Sequence, residues 1–387
     1  KASMTRTQVQ DMVQHTTDLC QSYASTLQQH IDQLKVAIKE NQPEKVINKL
    51  EKTVNSLSKP FSGLETEHKR MREFEKMGMV KSETHVVGTR YETHKGVREL
   101  VDNTYEYVSV VETIKKLVDD QRVDLSNREG KAKQSNDGRV IRTFEDGLRY
   151  KKNTLLQEHP ETLQIVLYHD DIELANPLGS KAGVNKMTMM YMSIRKQHLP
   201  CQLADIHLVM SAHAADVKEF GFSKLMNPLL YDLKLLEEGL MHNDQTIRGV
   251  LTHIIGDNLA MNQIFGFVES FSADYFCRFC MMPRQETQHS AGPVPSELYR
   301  THDTHSGHCE EAKTDKKAFR RHGVKSSLLL DDLVHFNSVE SMSADIMHDL
   351  LEGIVKVELA LILQSYVNRG VFTLRQFNLA IDGFNYR

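Results

Sequence analysis

No run of 18 apolar residues occurs in the 387-residue chain. The best candidate, Ile354 to Val367, is interrupted by Lys356 and Glu358, which excludes a membrane-spanning helix. Cysteine is scarce. Cys20, Cys201, Cys277, Cys280 and Cys309 cannot staple a chain of this length, so a secreted disulfide scaffold is excluded. No charged-then-apolar leader opens the chain, which begins at Lys1 with its first Met at position 4 and reads as a piece of something longer. Neither sign of charge is in excess. The 48 Lys+Arg stand against 52 Asp+Glu, a formal net charge of −4, which excludes a uniformly basic nucleic-acid binder but not a local patch.

What is present describes an ordinary globular chain of two or three domains, 40% hydrophobic and 26% charged. The average hides an asymmetry. Residues 1–150 carry 25 basic and 23 acidic groups, a net of +2, and the remainder carries 23 and 29, a net of −6. From Thr5 to Glu40 the positions Val9, Val13, Leu19, Tyr23, Leu27, Ile31, Leu34 and Ile38 recur at three- or four-residue steps on most intervals. That period predicts a helix, and Glu44 to Leu57 resumes it after Asn41-Gln-Pro43. The pair reads as a helical arm over 1–78, closed by a charged helix from Glu65 to Met77, and suits packing or oligomerisation. Residues 79–159 read as a mixed α/β linker region, with extended pieces at Thr84–Val87 and Tyr105–Val110, a helix at Val111–Asp120 and a loop over 124–139.

From Pro160 the texture changes. Strands are predicted at Leu163–Tyr168, Met187–Ile194 and Ile206–Met210, a helical stretch at Ala214–Glu238 broken near Gly221 and Pro228, a strand at Ile247–Ile255 and a helix at Leu259–Phe271. Three strands, helix, strand, helix is the order of a ribonuclease-H-like core, here 160–275, in which strands one and four lie side by side. Asp170 and Asp257 follow those two strands. Carboxylates meeting at one sheet edge are what two Mg²⁺ ions in phosphoryl transfer require, because hard cations take oxygen ligands. An Asp after a strand is also a common turn or cap residue. Alternation places Asp171 and Glu173 on one side of the strand and Asp170 on the other, leaving Asp171 as an alternative.

Cys277-Arg-Phe-Cys280 follows, and two thiolates at this spacing close half of a tetrahedral zinc site. A histidine among His302, His305 and His308, together with His348, would complete it. A redox pair is the competing reading, but it would stand at a helix start after a first strand. The zinc deaminase signature is not met, since no Pro precedes Cys277 and His159-Pro-Glu161 lies far upstream. The zinc is therefore expected to be structural, holding a loop-rich insertion over 276–344. Within it Lys313, Lys316, Lys317, Arg320, Arg321 and Lys325 face only Asp315, a local net of +5. Those cations form either a solvated face or a contact to DNA phosphate. Finally Asp345-Ile-Met-His348 opens a helix to about Val367 in the segment 345–387. Glu352, one turn beyond His348, is either a further active-site carboxylate or a hydrogen-bond partner of that ring.

In these motifs the chain resembles the transposases of the CACTA (EnSpm) superfamily, and more closely a group of animal transposon-derived proteins. The resemblance is carried, in order, by Leu167-Tyr-His-Asp-Asp-Ile-Glu-Leu-Ala-Asn-Pro-Leu-Gly-Ser-Lys181, Gly256-Asp-Asn-Leu-Ala260, Gly266-Phe-Val-Glu-Ser270, Cys277-Arg-Phe-Cys280 and Asp345-Ile-Met-His-Asp-Leu-Leu-Glu-Gly353. It implies a nuclear DDE-type nuclease and strand transferase acting on DNA, with Asp170 and Asp257 as catalytic ligands of Mg²⁺ or Mn²⁺. It also implies zinc at Cys277, Cys280, His308 and His348, and homo-oligomers through the N-terminal helices. The third carboxylate is expected beyond Arg387, so this chain alone is expected to be inactive. Two other readings stay open: an inactive domesticated transposase binding DNA or protein, and a zinc-stabilised oligomeric scaffold.

Overall fold

The computed structural model describes residues 6–37, 51–52, 54–55, 58–59, 61–94, 96–125, 140–141, 143–174, 186–195, 201–290 and 292–385. It divides into two units, residues 1–82 with 173–186, and residues 83–172 with 187–387. In the first unit α1 (Arg6–Ala37) runs where the apolar period predicts it. Ala24 and Ile31 pack there with Val54, while Leu19, Tyr23 and Leu27 remain exposed at four-residue spacing. Most of the second predicted arm helix lies outside the described residues. A shorter helix, α2 (Glu67–Lys76), starts where the Thr66 side chain accepts the Lys69 amide, and it buries no residue. This agrees with its mixed charge.

The second unit is built on a six-stranded mixed sheet of order β1-β2-β5-β4-β3-β8. Its strands are β1 (Ser82–His94), β2 (Val97–Val108), β3 (Leu163–Glu173), β4 (Lys186–Ile194), β5 (His207–His213) and β8 (Gly249–Ile255). A small hairpin, β6 (Leu240–His242) with β7 (Gln245–Ile247), precedes β8. The stretch read as a linker region thus supplies two strands. β2 pairs antiparallel with β5, Glu106 opposite Ser211, and carries the sheet outward. β3 lies parallel to β8, with Leu163 opposite Gly249 and Tyr168 opposite Ile255. Strands one and four of the predicted series are therefore neighbours. Residues 126–139 of the predicted loop lie outside the described set.

One face of the sheet is dry. Leu163, Ile165 and Leu167 alternate inward from β3, joined by Met190 and Met192 of β4 and Tyr105 and Tyr107 of β2. Against them pack Ile114 and Leu117 of α3 (Val110–Asp119) and Leu229, Leu233 and Leu236 of a later helix. Each such side chain contributes about 1.5–3 kcal/mol on leaving water. The predicted helical stretch 214–238 divides at its expected breaks into α4 (Ala214–Phe220) and α5 (Asn227–Glu238). Gly221 takes φ +86°, and Pro228 sits in the first turn of α5, where its missing amide costs nothing. Val324, Leu328, Leu330, Leu333 and Phe336, all from the predicted insertion, are buried in the same core. That segment is held by ordinary apolar packing.

On the other face Leu155, Leu156, Phe144 and Tyr150 cover Val250. His253 of β8 meets the edge of the Phe144 ring at 4.9 Å. Burial first, then the charges of Arg195 and Arg149, holds its imidazole down to about 4. The unfolded chain binds a proton near 6.5, so this contribution to stability is whole above 6.5 and is lost as pH falls toward 4. Stability should drop by up to about 2 kcal/mol between pH 7 and 5. Urea midpoints at the two pH values measure the drop, and His253→Phe should flatten that limb.

Candidate functional site

β3 extends beyond the predicted end at Tyr168, so Asp170 stands within the strand rather than after it. The extension is held by polar pairing with β4. The Thr188 hydroxyl donates to Asp171 Oδ1 at 2.7 Å, and His169 Nδ1 lies 3.1 Å from the Met189 carbonyl. Alternation sorts the side chains as expected: His169 points into the core, while Tyr168 and Asp170 share the opposite face. Asp170 Oδ2 accepts from the Tyr168 hydroxyl at 3.0 Å, and Oδ1 accepts the Asp171 amide at 2.8 Å. Tyr168 in turn stacks on Tyr191, with ring centroids 6.3 Å apart.

Asp257 arrives from the parallel neighbour. Tyr168 is registered with Ile255, so Asp170 and Asp257 each lie two residues beyond that pair. Asp257 caps α6 (Asn258–Ile264), its Oδ1 accepting the Ala260 amide at 2.6 Å. The predicted helix continued to Phe271, but the chain turns out at Gly266, whose φ is +70°. A side chain on Gly266 would stand 2.1 Å from the Ser326 carbonyl oxygen. The Tyr168 hydroxyl senses both carboxylates. Burial first, then its bond to Asp170 and the charges of Asp170 and Asp257, pushes it up to about 12.

Gly256 makes the approach of the two strands possible. A Cβ there would stand 2.6 Å from the His169 carbonyl oxygen and 2.9 Å from Met261 Cε. Gly256→Ala must therefore push the strand ends apart, at a cost of about 1–3 kcal/mol. A lowered denaturation midpoint with an unchanged m-value would report it.

The segment after Ser343 departs from its prediction in kind. It opens as a π-helix, Ile346–Ile354, and continues as α8 (Val355–Asn368). The apolar period cannot distinguish the two. The Asp345 carboxylate accepts the amides of Met347 and His348 and pairs with the His348 ring. That pairing, more than the charges of Glu352 and Asp257, raises the ring's proton affinity. Among the described residues His348 is paired with Asp345 and is not gathered with the cysteines into a group that could hold a metal ion.

Cys277 and Cys280 are neighbours. The Phe279 amide donates to Cys277 Sγ at 3.4 Å, and the Met282 amide to Cys280. Burial first, then the adjacent Cys277, pushes the Cys280 thiol up. His308, on α7 (His302–Thr314), stacks on His322 at 3.9 Å, and burial holds it down to about 4. Between these groups Arg300 is buried. Its Nε donates to the Cys277 carbonyl at 3.2 Å, and burial, opposed by the neighbouring sulfurs, holds its guanidinium down to about 10. Among the described residues no three His, Cys, Asp or Glu side chains gather closely enough to hold a metal ion.

The basic run is largely answered by acids that its own short stretch does not contain. Lys313 pairs with Glu310 at 2.6 Å, Arg321 with Glu311 and Asp315, and Lys325 with Glu269. Lys316, Lys317 and Arg320 take part in no ion pair among the described residues. Sequence reasoning did not single out Tyr168, Asn258 or Arg278. Tyr168 was readable as the strand neighbour two residues before Asp170, but the other two act through partners distant in the chain.

No model of a known protein family matches the chain, and no curated protein is found to be similar to it.

Proposed function

We propose that this chain is the metal-binding core of a cut-and-paste transposase, which hydrolyses DNA phosphodiesters and joins the resulting ends. The observation that supports the reading is the parallel register of β3 and β8, Tyr168 opposite Ile255, which sets Asp170 and Asp257 each two residues beyond that pair at the same edge of the sheet. The strand order β5-β4-β3-β8, with β3 parallel to β8, supports a ribonuclease-H-like core. The donor set suits Mg²⁺ or Mn²⁺: two carboxylates, half-buried, with Asp257 spending one oxygen on the α6 amide. Bound there, the ions would activate a water or a DNA 3′-hydroxyl and stabilise the leaving oxygen. Asp170 and Asp257 would hold them.

Cys277 and Cys280, each sulfur receiving a backbone amide, have the donor chemistry for zinc. The His308 Nδ1 is buried without a partner, but among the described residues it does not gather with the two cysteines closely enough to hold a metal ion. Metal analysis of the purified protein should return about one zinc per chain, lost in the Cys277→Ser/Cys280→Ser variant. Two cysteines that retain no zinc after dialysis would refute the site.

Lys316, Lys317 and Arg320 are the cations left for DNA phosphate, in a nuclear protein. Oligomers through α1 are supported by the exposed stripe Leu19, Tyr23 and Leu27. The decisive test is cleavage of labelled DNA by the full protein with Mg²⁺ or Mn²⁺. Absence of any cleavage would leave the chain a binding module.

A further inference from the structure

The π-helix (Ile346–Ile354), α8 and a last helix, α9 (Leu374–Asp382), bury no residue between them. Their sequence is not that of a solvated arm. From Val355 to Asn368 the charges are Lys356 and Glu358 alone, and a helix so apolar is ordinarily covered.

The change of helix type has a geometric result. In a straight α-helix Ile346 and Val355 would lie on opposite sides, since that interval makes two and a half turns. Bonds to the fifth residue widen each turn of the π-segment, so Ile346, Leu350, Leu351 and Val355 come to one face. α8 carries that face on at three- and four-residue steps with Leu359, Ile362 and Tyr366. All seven are between 40% and 66% exposed, so one apolar stripe crosses the junction. Both its ends are braced. At the base the Asp345 carboxylate accepts the Met347 and His348 amides, and Asp349 Oδ1 accepts the Asn258 side-chain amide. At the far end the Tyr366 ring lies 5.9 Å from Phe372, which stacks on Phe377 of α9 at 5.8 Å.

The stripe is large enough for an interface. Half-exposed, its side chains present on the order of 500 Å² of apolar surface. That reaches the size of the largest apolar patch on a typical monomer, about 300–600 Å². It also matches the apolar share of one side of a standard interface, about 800 Å² per partner. The charges say what fits it. Glu358 near the start of α8 and Arg369 at its end stand about three turns apart on one flank of the stripe. The Arg369 guanidinium lies over the Tyr366 ring at 5.8 Å. A second α8 laid antiparallel sets Glu358 of each copy against Arg369 of the other and opposes the two helix dipoles. Laid parallel, like charges would meet. A lipid surface would require a row of cations on the polar face, which α8 lacks.

We propose that α8 and the π-helix before it form the two-fold interface of a homodimer, crossed antiparallel over Leu359, Ile362 and Tyr366, with a Glu358–Arg369 pair on each side. The π-helix of each copy then runs past the end of its partner's α8, where Val371 and Leu374 are exposed. This surface belongs to a different unit of the chain from α1, and it does not depend on DNA cleavage.

Sedimentation equilibrium of the full chain tests it. A dimer is expected at micromolar concentration, and Leu359→Glu with Ile362→Glu should raise its dissociation constant at least ~100-fold. Both side chains are exposed in the single chain, so the urea midpoint of the dissociated protein should not change. Glu358→Arg alone, or Arg369→Glu alone, should weaken the dimer ~10-fold, and the two together should restore it. A protein still monomeric at about 100 μM would overturn the proposal. So would a dimer that survives the Leu359→Glu/Ile362→Glu variant, since its contact must lie elsewhere. Loss of the dimer in the single charge variants without rescue in the double exchange would overturn the antiparallel crossing, and with it the choice of a second copy as the occupant.

Discussion

Asp257→Asn is expected to lower Mg²⁺-dependent DNA cleavage by the full protein about a thousand-fold or more, while leaving its stability nearly unchanged. Asp257 has two tasks that this substitution separates. As the cap of α6 it accepts the Ala260 amide, and an asparagine oxygen can accept the same bond. As the proposed ligand it would supply negative charge to a divalent ion, which a neutral amide cannot replace. A loss of that size corresponds to about 4 kcal/mol of transition-state stabilisation, within the reach of metal-ion catalysis. Asp257→Ala would remove the cap as well, adding about 1 kcal/mol of destabilisation. Cleavage rates on end-labelled DNA, compared with urea midpoints for the same proteins, separate the two effects. Undiminished cleavage by Asp257→Asn would end the two-carboxylate reading. Loss of folding in Asp257→Asn would show instead that capping requires the full charge.

The largest loss of stability is expected from Asp232→Ala. Asp232, 7% exposed on α5, holds the start of α3 with one oxygen. Its Oδ2 accepts the Tyr107 hydroxyl at 2.8 Å, the Ser109 hydroxyl at 2.7 Å and the Val111 amide at 3.2 Å. Burial and the Asp232 carboxylate both push the Tyr107 phenol up, so it remains a donor throughout the working pH range. Removing the carboxylate leaves three donors without an acceptor in a dry region, each costing about 1–3 kcal/mol. Partial rescue by water brings the expected total to about 3–5 kcal/mol. Tyr107→Phe is the informative companion. It deletes one donor and leaves the carboxylate its other two, so about 1 kcal/mol is expected. Chemical denaturation measures both, and equal losses in the two variants would contradict the shared-acceptor account.

The parts of this fold that could be read in advance were those where one periodicity acts alone. β8 is buried along most of its length, β3 along its first half and β4 at alternate positions, and their apolar runs located them within a few residues. β2 was caught only in its second half. Its first residues, Val97 to Leu100, are exposed, and the burial that marks a strand begins at Asn103. The end of α6 was missed because Leu259 to Phe271 keeps an apolar texture through the turn at Gly266. The chain leaves the helix through the positive φ of Gly266, where Ser326, sixty residues on, leaves no room for a side chain. The same limit applies to the site. Asp170 and Asp257 stood out because each follows an apolar run, although β3 carries Asp170 within the strand and not after it. The bonds of Arg278 to Asn258 and the Ser343 carbonyl, and of Asn258 to Asp349, did not, because they join residues distant in the chain and leave no trace in local spacing. The cation run misled in the opposite way, since the acids that answer it, Glu269, Glu310 and Glu311, fall outside the window in which it was counted.

The pairing of β3 with β8 also sets an order of assembly. Leu163 waits for Gly249, and Glu106 of β2 waits for Ser211, so most of the sheet closes across long loops. Contacts of that range make folding slow and leave strand edges exposed while it proceeds. The hairpin β1–β2 can form early from adjacent residues, but β3 gains its second neighbour only once β8 has been made. During synthesis Asp170 emerges long before Asp257. The nascent chain therefore carries one carboxylate at an unfinished edge, and any metal site built from the pair comes into being only with the last strand.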